Sequence, residues 1–267
     1  MMTAIAVTIA GSDSGGGAGI QADLKTFSAL GVYGASVITA LTAQNTKGVS
    51  AVHDVPADFV TAQIDAVFSD LDVGAVKIGM LSRPETIHAV AAGLERHRQR
   101  KIVLDPVMVA ASGDPLIADA AVAVLREVLV PLAMIVTPNL PEAARLLEEK
   151  AAEGRSEIEA QAERLLACGA KAVLLKGGHG GGDESADYLL TSLGGRWLTA
   201  PRIATDNTHG TGCTLSSAIA AGLACGRHLE AAVVAAKEYV TAAIAAADQL
   251  EIGAGRGPVH HFHATWE

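Results

Sequence analysis

The sequence predicts an α/β protein built on a mostly parallel sheet that helices cover on both faces. Short runs of β-branched residues, bounded by glycine, proline or asparagine, alternate with longer segments whose apolar residues recur every three or four positions. This alternation is typical of strand, helix and strand units in a parallel sheet. Half of the 267 residues are hydrophobic, enough for a sizeable core. No feature marks a second domain, so we expect one domain over residues 1–267.

The elements follow from hydrophobic period and from turn residues. Six short apolar runs predict parallel strands, at residues 5–10, 36–41, 75–79, 102–105, 134–137 and 173–176. Helical spacing predicts helices between them, at residues 18–30, 84–98, 117–129, 141–147 and 158–168, with two more near the carboxyl terminus. Residues 185–192 and 196–199 predict a hairpin with Gly194 and Gly195 as its turn, and hence an antiparallel edge.

Charge and cysteine usage exclude several classes of protein. The 29 acidic residues exceed the 20 basic ones and leave a net charge of -9, which would repel a nucleic acid. Cys168, Cys213 and Cys225 form no C-x-x-C pair, as expected of reduced thiols in a cytosol. No secretory signal is seen, and charged residues interrupt the apolar stretch 229–247, whereas a membrane span needs about 20 apolar residues. We expect a cytoplasmic protein without a membrane or nucleic-acid partner.

A glycine-rich loop, residues 11–19, joins the first strand to the first helix and lets backbone N–H groups approach a ligand. Its Gly17-x-Gly19-x-x-Ala22 pattern formally matches the dinucleotide fingerprint. No acidic residue occurs from 36 to 52, however, where the acid that binds the ribose belongs. A G-x-x-x-x-G-K-[ST] loop is also absent. A nucleotide site would therefore have to be built another way.

Two polar residues near this loop have two readings each. Asp23 falls within the apolar stripe of the first predicted helix, so its carboxylate either stabilises the helix dipole or points at a substrate. Gln44 ends the second strand, where its amide either caps a loop or reads a ring nitrogen and an amino group together. We expect both side chains to face the substrate.

The strongest local signal is the segment 206–214, where a glycine-rich turn opens a helix of small residues. A helix start offers free backbone donors and the positive end of a dipole, which suit a transferring phosphoryl group. The alternative is an ordinary turn with an N-cap by Thr208 or Thr211. Lys176 closes a strand before Gly177 and would add a mobile cation to the phosphates, unless it is only a lysine that reaches solvent.

Seven sequence blocks, in order, make the chain resemble the hydroxymethylpyrimidine/phosphomethylpyrimidine kinases of the ribokinase superfamily. They are AGSDSGGGAGIQAD (10–23), ALTAQNT (40–46), KIGML (77–81), LDPVM (104–108), TPNLPE (137–142), KGGH (176–179) and NTHGTGCT (207–214). The resemblance covers almost the entire chain. It implies a three-layer αβα sandwich with a mostly parallel sheet, two ATP-dependent phosphorylations of 4-amino-5-hydroxymethyl-2-methylpyrimidine, magnesium, and a homodimer.

The resemblance also implies a role for each matching residue. The pyrimidine pocket is formed by Gly11, Asp23, Gln44, Met80 and Val107. The nucleotide is held by Asn139, Lys176 and Thr211. Magnesium is held by Glu142 with help from Asp105, through water molecules. The catalytic set is Lys176, Gly210, Gly212 and Cys213. Without the resemblance, Asn139 and Glu142 would be read as a helix cap and a first-turn acid.

Two departures from related sequences affect this transfer of roles. Cys213 stands where the wider superfamily has an aspartate as base, and this kinase family shares that cysteine. A helix start and nearby cations lower a thiol pKa, so we expect a lowered pKa there that makes a thiolate available as proton acceptor near neutral pH. Whether Cys213 is the base stays open at this point. Ala111 replaces a lysine expected from relatives, which removes a cationic contact. The histidines at 260, 261 and 263 are interpreted as scattered surface imidazoles rather than a metal site.

Two rival functions are compatible with the same residues. One is a pyridoxal kinase, since a pyridine that bears a hydroxymethyl group would occupy much of the same pocket; Gln44 and Met80 favour the aminopyrimidine. The other is a non-catalytic module that senses the pyrimidine. The complete phosphate-binding set of Asn139, Glu142, Lys176 and residues 210–213 argues against it.

Overall fold

A computed structural model describes residues 3–110, 113, 116–178 and 182–266. In this part of the chain one sheet has the strand order β3-β2-β1-β4-β5-β6-β7-β8-β9. The strands are β1 (Ile5–Asp13), β2 (Tyr33–Asn45), β3 (Gly48–Asp54), β4 (Ala75–Ile78), β5 (Ile102–Leu104), β6 (Ile135–Val136), β7 (Ala172–Leu175), β8 (Glu184–Thr191) and β9 (Gly194–Pro201). Six neighbouring strands run parallel, namely β2, β1, β4, β5, β6 and β7. Antiparallel strands flank them, with β3 at one edge and β8 and β9 at the other.

Two layers of helices cover the sheet. The helices are α1 (Gly19–Ala29), α2 (Ala57–Phe68), α3 (Pro84–Arg96), α4 (Asp119–Val124), α5 (Leu140–Leu147), α6 (Arg155–Ala167), α7 (Thr211–Ala224) and α8 (Leu229–Ala245). Alternate residues of each strand point to opposite faces, so that Val7 and Ile9 of β1 pack with α2 to α6, whereas Ala6 packs with α1, α7 and α8. The structure confirms the predicted αβα sandwich with a mostly parallel sheet.

The predicted elements all occur, with shifted ends and one change of type. The long helix predicted over residues 117–129 is α4 followed by one segment of π-helix, Leu125–Leu129. β3 and α2 had not been predicted. No helix of the described residues is both long and apolar enough to cross a bilayer.

The predicted turn of the hairpin was wrong by two residues. Gly194 and Gly195 begin β9 and pair with Thr191 and Leu190, so residues 192 and 193 form the turn. A Cβ atom on Gly195 would lie 1.7 Å from the hydroxyl of Tyr188. The glycine is therefore required to leave room for that ring, and it does not supply the turn.

Candidate active site

A cavity of about 730 Å³ lies where the parallel strands end at their carboxyl edge. Open parallel sheets bind ligands at this edge, because the loops after several strands converge there. Every predicted site residue except Asp23 lines the cavity, namely Gly11, Gln44, Met80, Asp105, Val107, Asn139, Glu142, Lys176, Gly210, Thr211, Gly212 and Cys213. The fold therefore brings together residues from strands that are distant in sequence.

The first turn of α7 forms one wall of the cavity. Gly210 precedes the helix with a φ of +80°, and a Cβ atom there would lie 1.9 Å from the carbonyl oxygen of Gly17, so that only glycine fits. Among the described residues, the N–H groups of Gly212 and Cys213 meet no acceptor, whereas those on either side donate to backbone carbonyls. These two donors and the positive end of the helix dipole suit an anion.

A partly buried cation and two buried carboxylates face this helix start. The Nζ atom of Lys176 lies 2.8 Å from Oδ1 of Asp105 and 3.9 Å from Oε2 of Glu142. A Cβ atom on Gly212 would lie 3.2 Å from the same Nζ atom, so the ammonium group sits directly across from the free amides. Burial lowers the pKa of Lys176, but the charges of Asp105 and Glu142 outweigh it and hold that pKa above its usual range. The amine is therefore a cation at neutral pH.

Asp105 is almost fully buried and remains ionised. Burial raises its pKa, but the charges of Lys176 and Lys77 and the hydrogen bonds from Lys176 and Ser216 outweigh burial and lower it overall. Thr137 also donates to Oδ1 of Asp105, at 3.2 Å. This carboxylate thus lies between two cations at the edge of the cavity.

Asn139 and Glu142 form a capping box at the start of α5. The side chain of Asn139 accepts a hydrogen bond from the amide of Glu142, and the Glu142 carboxylate accepts one from the amide of Asn139, each at 2.8 Å. The helix-cap interpretation is therefore confirmed, and both residues also line the cavity. Burial raises the pKa of Glu142 to about 7, although Lys176 acts in the opposite direction.

Asp13 organises the glycine-rich loop, a role that sequence reasoning missed. Its carboxylate accepts hydrogen bonds from the amides of Gly15, Gly17 and Ala18 at 2.8 to 3.1 Å. The Nε2 atom of His209 lies 2.8 Å from Oδ2 of Asp13. Burial raises the pKa of Asp13, but these hydrogen bonds outweigh it and lower the pKa. An acid two residues before a run of glycines was the available signal.

Gln44, Met80 and Gly11, which sequence analysis assigned to the pyrimidine pocket, line the same cavity. A Cβ atom on Gly11 would lie 3.1 Å from the Met80 sulfur, so the glycine lets that side chain reach across the cavity floor. Thr42 donates to Oε1 of Gln44 at 3.1 Å. The amide nitrogen of Gln44 lies 3.5 Å from Nε2 of His209. Because the proton on that imidazole nitrogen is directed at Asp13, the Gln44 donors remain available to a ligand.

The prediction that Asp23 faces the substrate was wrong. Its side chain is fully buried, and its two oxygens accept hydrogen bonds from Thr8 (2.6 Å), Lys77 (2.9 Å) and Ser217 (2.6 Å). The carboxylate holds Lys77, and it is Lys77 that lines the cavity. Helical spacing placed Asp23 on the inner side of α1 correctly but did not show which partner would meet it there.

The prediction of a Cys213 thiolate near neutral pH was also wrong. Burial raises the pKa of the thiol to about 11, although Lys77 and a hydrogen bond from the Gly19 amide act in the opposite direction. The side chain does line the cavity, as predicted. All three cysteines are free thiols. The predicted effect of Ala111 concerns a residue outside the described part of the chain.

The prediction of surface histidines near the carboxyl terminus was wrong for His260 and His261. Both side chains are buried, and Nε2 of His261 lies 3.0 Å from the hydroxyl of Thr214 on α7.

The sheet order, the two helical layers and the cavity at the carboxyl edge define a ribokinase-like protein. A family model described as phosphomethylpyrimidine kinase matches residues 13–260. A hydroxymethylpyrimidine/phosphomethylpyrimidine kinase of Rhizobium meliloti is 65% identical over 266 residues, with 100% of both chains covered. The chain belongs to the phosphomethylpyrimidine kinase family.

Other relatives extend this comparison. A thiamine biosynthesis bifunctional protein of Geobacter sulfurreducens is 56% identical over 259 residues, which are 97% of this chain and 52% of that protein. A solved phosphomethylpyrimidine kinase from Clostridium difficile is 46% identical with a TM-score of 0.80, and covers 90% of this chain and 99% of that one. An ADP complex of Bacillus subtilis pyridoxal kinase is 34% identical with a TM-score of 0.92, and covers 100% of both chains.

Proposed function

We propose that this protein transfers the γ-phosphoryl group of ATP to 4-amino-5-hydroxymethyl-2-methylpyrimidine, and then a second group to the resulting monophosphate, in thiamine biosynthesis. The observation that carries the proposal is the meeting in one cavity of a pocket for a small ring and an anion site. Gln44 and Met80 line the first, and the α7 start with Lys176 lines the second. Membership of the phosphomethylpyrimidine kinase family supports the same reaction.

Phosphoryl transfer needs positioning and charge stabilisation more than covalent chemistry. The amides of Gly212 and Cys213 and the ammonium group of Lys176 would bind the oxygens of the transferring group from two sides. Their preformed geometry matters, because donors held by the protein need no rearrangement as charge develops. Lys176 is fixed for this purpose by its 2.8 Å contact with Asp105.

The carboxylates of Asp105 and Glu142 fit a magnesium ion that binds together with ATP. Magnesium is typically held by one or two carboxylates, water and substrate phosphates. Among the described residues no group of three or more His, Cys, Asp or Glu side chains is arranged to hold a metal, so the phosphates would have to complete the coordination. When bound, the ion supplies positive charge to the phosphate oxygens. The backbone amide of Asn139, which donates to the Glu142 carboxylate in the capping box, would orient that carboxylate.

Cys213 fits a role in shaping the cavity and in presenting its backbone amide. With a pKa of about 11 the side chain is a neutral thiol at pH 7, and it would act as a weak hydrogen-bond group beside the substrate oxygen. Its contribution to the rate would therefore be smaller than that of the two backbone amides.

The first experiment is a product assay. Purified protein is incubated with ATP, magnesium and, separately, the hydroxymethylpyrimidine, its monophosphate and pyridoxal, and the products are identified by mass. We expect mono- and diphosphates of the pyrimidine, and poorer use of pyridoxal. Pyridoxal is included because the chain is similar to a Bacillus subtilis pyridoxal kinase. Efficient turnover of pyridoxal alone would reassign the substrate. Binding of the pyrimidine without any transfer would favour the non-catalytic module.

Gln44 provides a test of the substrate pocket. Changing Gln44→Ala removes an amide whose donors face the cavity, and an unpaired polar ring edge costs about 1 to 3 kcal/mol. We expect kcat/KM for the pyrimidine to fall roughly 10-fold to 100-fold with the KM for ATP unchanged. Unchanged efficiency with the pyrimidine would remove Gln44 from the pocket.

We further propose that the protein acts in the cytoplasm as a homodimer of single-domain chains. Large apolar side chains are exposed on β2, on the edge strand β3 and on α2, at Tyr33, Leu41, Val52 and Phe59. Exposed apolar side chains on edge elements are candidates for a protein interface. Light scattering on the purified protein should give twice the chain mass, and Phe59→Glu should shift the mass towards the monomer.

A further inference from the structure

Lys77 is a fully buried cation at the floor of the cavity. It lies on β4 beside Thr8 of β1, with its side chain on the face of the sheet that packs against α1 and α7. The side chain is 0% exposed, yet it lines the cavity with Cys213 and Met80. A Cβ atom on Gly79 would come within 2.7 Å of the Lys77 Nζ atom. The glycine therefore leaves the space in which the ammonium group sits.

Asp23 keeps this ammonium group charged and in place. The two groups lie 2.9 Å apart, and Thr8 and Ser217 donate to the remaining acceptor positions of the carboxylate. Burial lowers the pKa of Lys77, but Asp23 and the other nearby anionic groups outweigh it and raise that pKa above its usual range. In the part of the chain that the structure describes, Asp23 is the hydrogen-bond partner of Lys77. Two of its three donors therefore remain for a ligand.

The ion pair of Lys77 and Asp23 lies against the first turns of α7, because Ser217 of that helix donates to Asp23. Ser217, which binds Asp23, and Cys213 are four residues apart on that helix and so share one face. Cys213 is one turn closer to the cavity, and Lys77 is the cation that acts most strongly on its thiol. Lys77 and Lys176 both line the cavity, and both lie close enough to Asp105 to lower its pKa.

We propose that Lys77 is a further catalytic residue, whose ammonium group contacts the substrate oxygen that attacks ATP, and that Asp23 positions it. This inference rests on the proposed function. In the first reaction the alcohol oxygen bonds to the γ-phosphorus, and the bond from that phosphorus to the β–γ bridging oxygen breaks to release ADP. The alcohol proton moves to a non-bridging oxygen of the new phosphate ester, which exchanges it with water. Lys77 stabilises the negative charge that grows on the attacking oxygen.

The two reactions should respond differently to loss of this cation. The alcohol is neutral when it binds, so Lys77 acts on it only in the transition state, and its loss should lower kcat. The monophosphate is already an anion when it binds, so Lys77 also attracts its ground state, and the loss should raise KM. A residue that only supports the fold would change both substrates in the same way.

The test is steady-state kinetics of both reactions with Lys77→Met in an Asp23→Asn background, beside the single Lys77→Met change. The double change removes both charges together, because a lone buried carboxylate would itself destabilise the fold. We expect kcat for the alcohol to fall roughly 100-fold with KM within about threefold. For the monophosphate we expect KM to rise roughly 10-fold or more with kcat within about threefold.

Lys101→Met is the matched control, because Lys101 is a partly buried lysine at the opposite end of the sheet and donates to the carbonyl of Leu223. It should leave all four constants unchanged. Equal factors on both substrates, a KM effect on the neutral alcohol alone, or full activity of the double variant would each overturn the inference. Thermal denaturation that shows the double variant to be unfolded at the assay temperature would also overturn the inference, since the ion pair would then serve folding. If the parent protein phosphorylates neither substrate, the proposed function fails first and the inference with it.

Discussion

Two glycines at the start of α7, Gly210 and Gly212, should each be sensitive to replacement by alanine, but for different reasons. Gly212 has ordinary helical geometry, and the nearest atom to an added Cβ is the flexible end of Lys176, at 3.2 Å. Gly210 has a φ of +80°, and its added Cβ would lie 1.9 Å from the backbone carbonyl of Gly17. Gly212→Ala should therefore fold normally and lose activity, whereas Gly210→Ala should lose stability.

The expected changes in the free energy of unfolding follow from these contacts. Alanine is better than glycine in a helix by up to about 1 kcal/mol, which offsets the small displacement of Lys176 by Gly212→Ala. Gly210→Ala costs about 1 to 2 kcal/mol for the left-handed backbone and about 1 to 3 kcal/mol more for the backbone clash. With about 2 to 4 °C per kcal/mol for a chain of this size, Tm should fall by roughly 4 to 20 °C for Gly210→Ala and change by about 4 °C or less for Gly212→Ala.

The assay combines thermal denaturation with ADP release at saturating ATP and pyrimidine. Gly212→Ala places a methyl group between the free amides and Lys176, so we expect a fall in kcat of roughly 100-fold. Gly226→Ala is the control that separates backbone strain from steric clash. Gly226 has a φ of +82°, close to that of Gly210, but no atom lies within 4 Å of an added Cβ. A Gly212→Ala enzyme as active as the parent would show that the phosphoryl group does not bind at the start of α7.

Three further predictions concern charged and titrating groups. Lys176→Met should lower kcat roughly 100-fold; a rise in the KM for ATP alone would make Lys176 a ground-state contact. Cys213 has a pKa of about 11, above the value of about 8.5 of an unfolded thiol, so its contribution to stability is complete below about pH 8.5 and is lost as the pH rises through 11. Cys213→Ser should remove that alkaline decline in Tm, and an identical decline would refute the burial argument. Asp13→Asn should cost about 1 to 3 kcal/mol in urea unfolding, because three amides lose a charged acceptor; for the ionised parent, the stabilisation should fade as the pH falls through the lowered pKa.

The strands and helices that carry most of the core were predictable because their signals are local. Val7 and Ile9 alternate with Ala6, and that period of two already separates the two faces of β1. β3 was missed because it is an edge strand with mostly exposed residues, so burial imposes no apolar alternation on it. The hairpin turn was misplaced because Gly195 is needed to make room for Tyr188, a partner on another strand.

Much of the site was also predictable from sequence. Residues that follow parallel strands meet at one edge, and a glycine turn before a helix of small residues indicates an anion site. These rules and the family resemblance identified Lys176, Gly212 and Glu142, all of which line the cavity.

The sequence by itself determined the fold class, the family and the strand ends that form the site, because these depend on short-range patterns. Only the tertiary structure decided which member of a buried pair faces the ligand, so that Lys77 rather than Asp23 lines the cavity. It also decided the protonation of Cys213, whose thiol stays neutral because burial outweighs the nearby cation. Burial and the distances between charges are set only when α1, β4 and α7 pack together. Their combined effect on a pKa is therefore not encoded in any local pattern of the sequence.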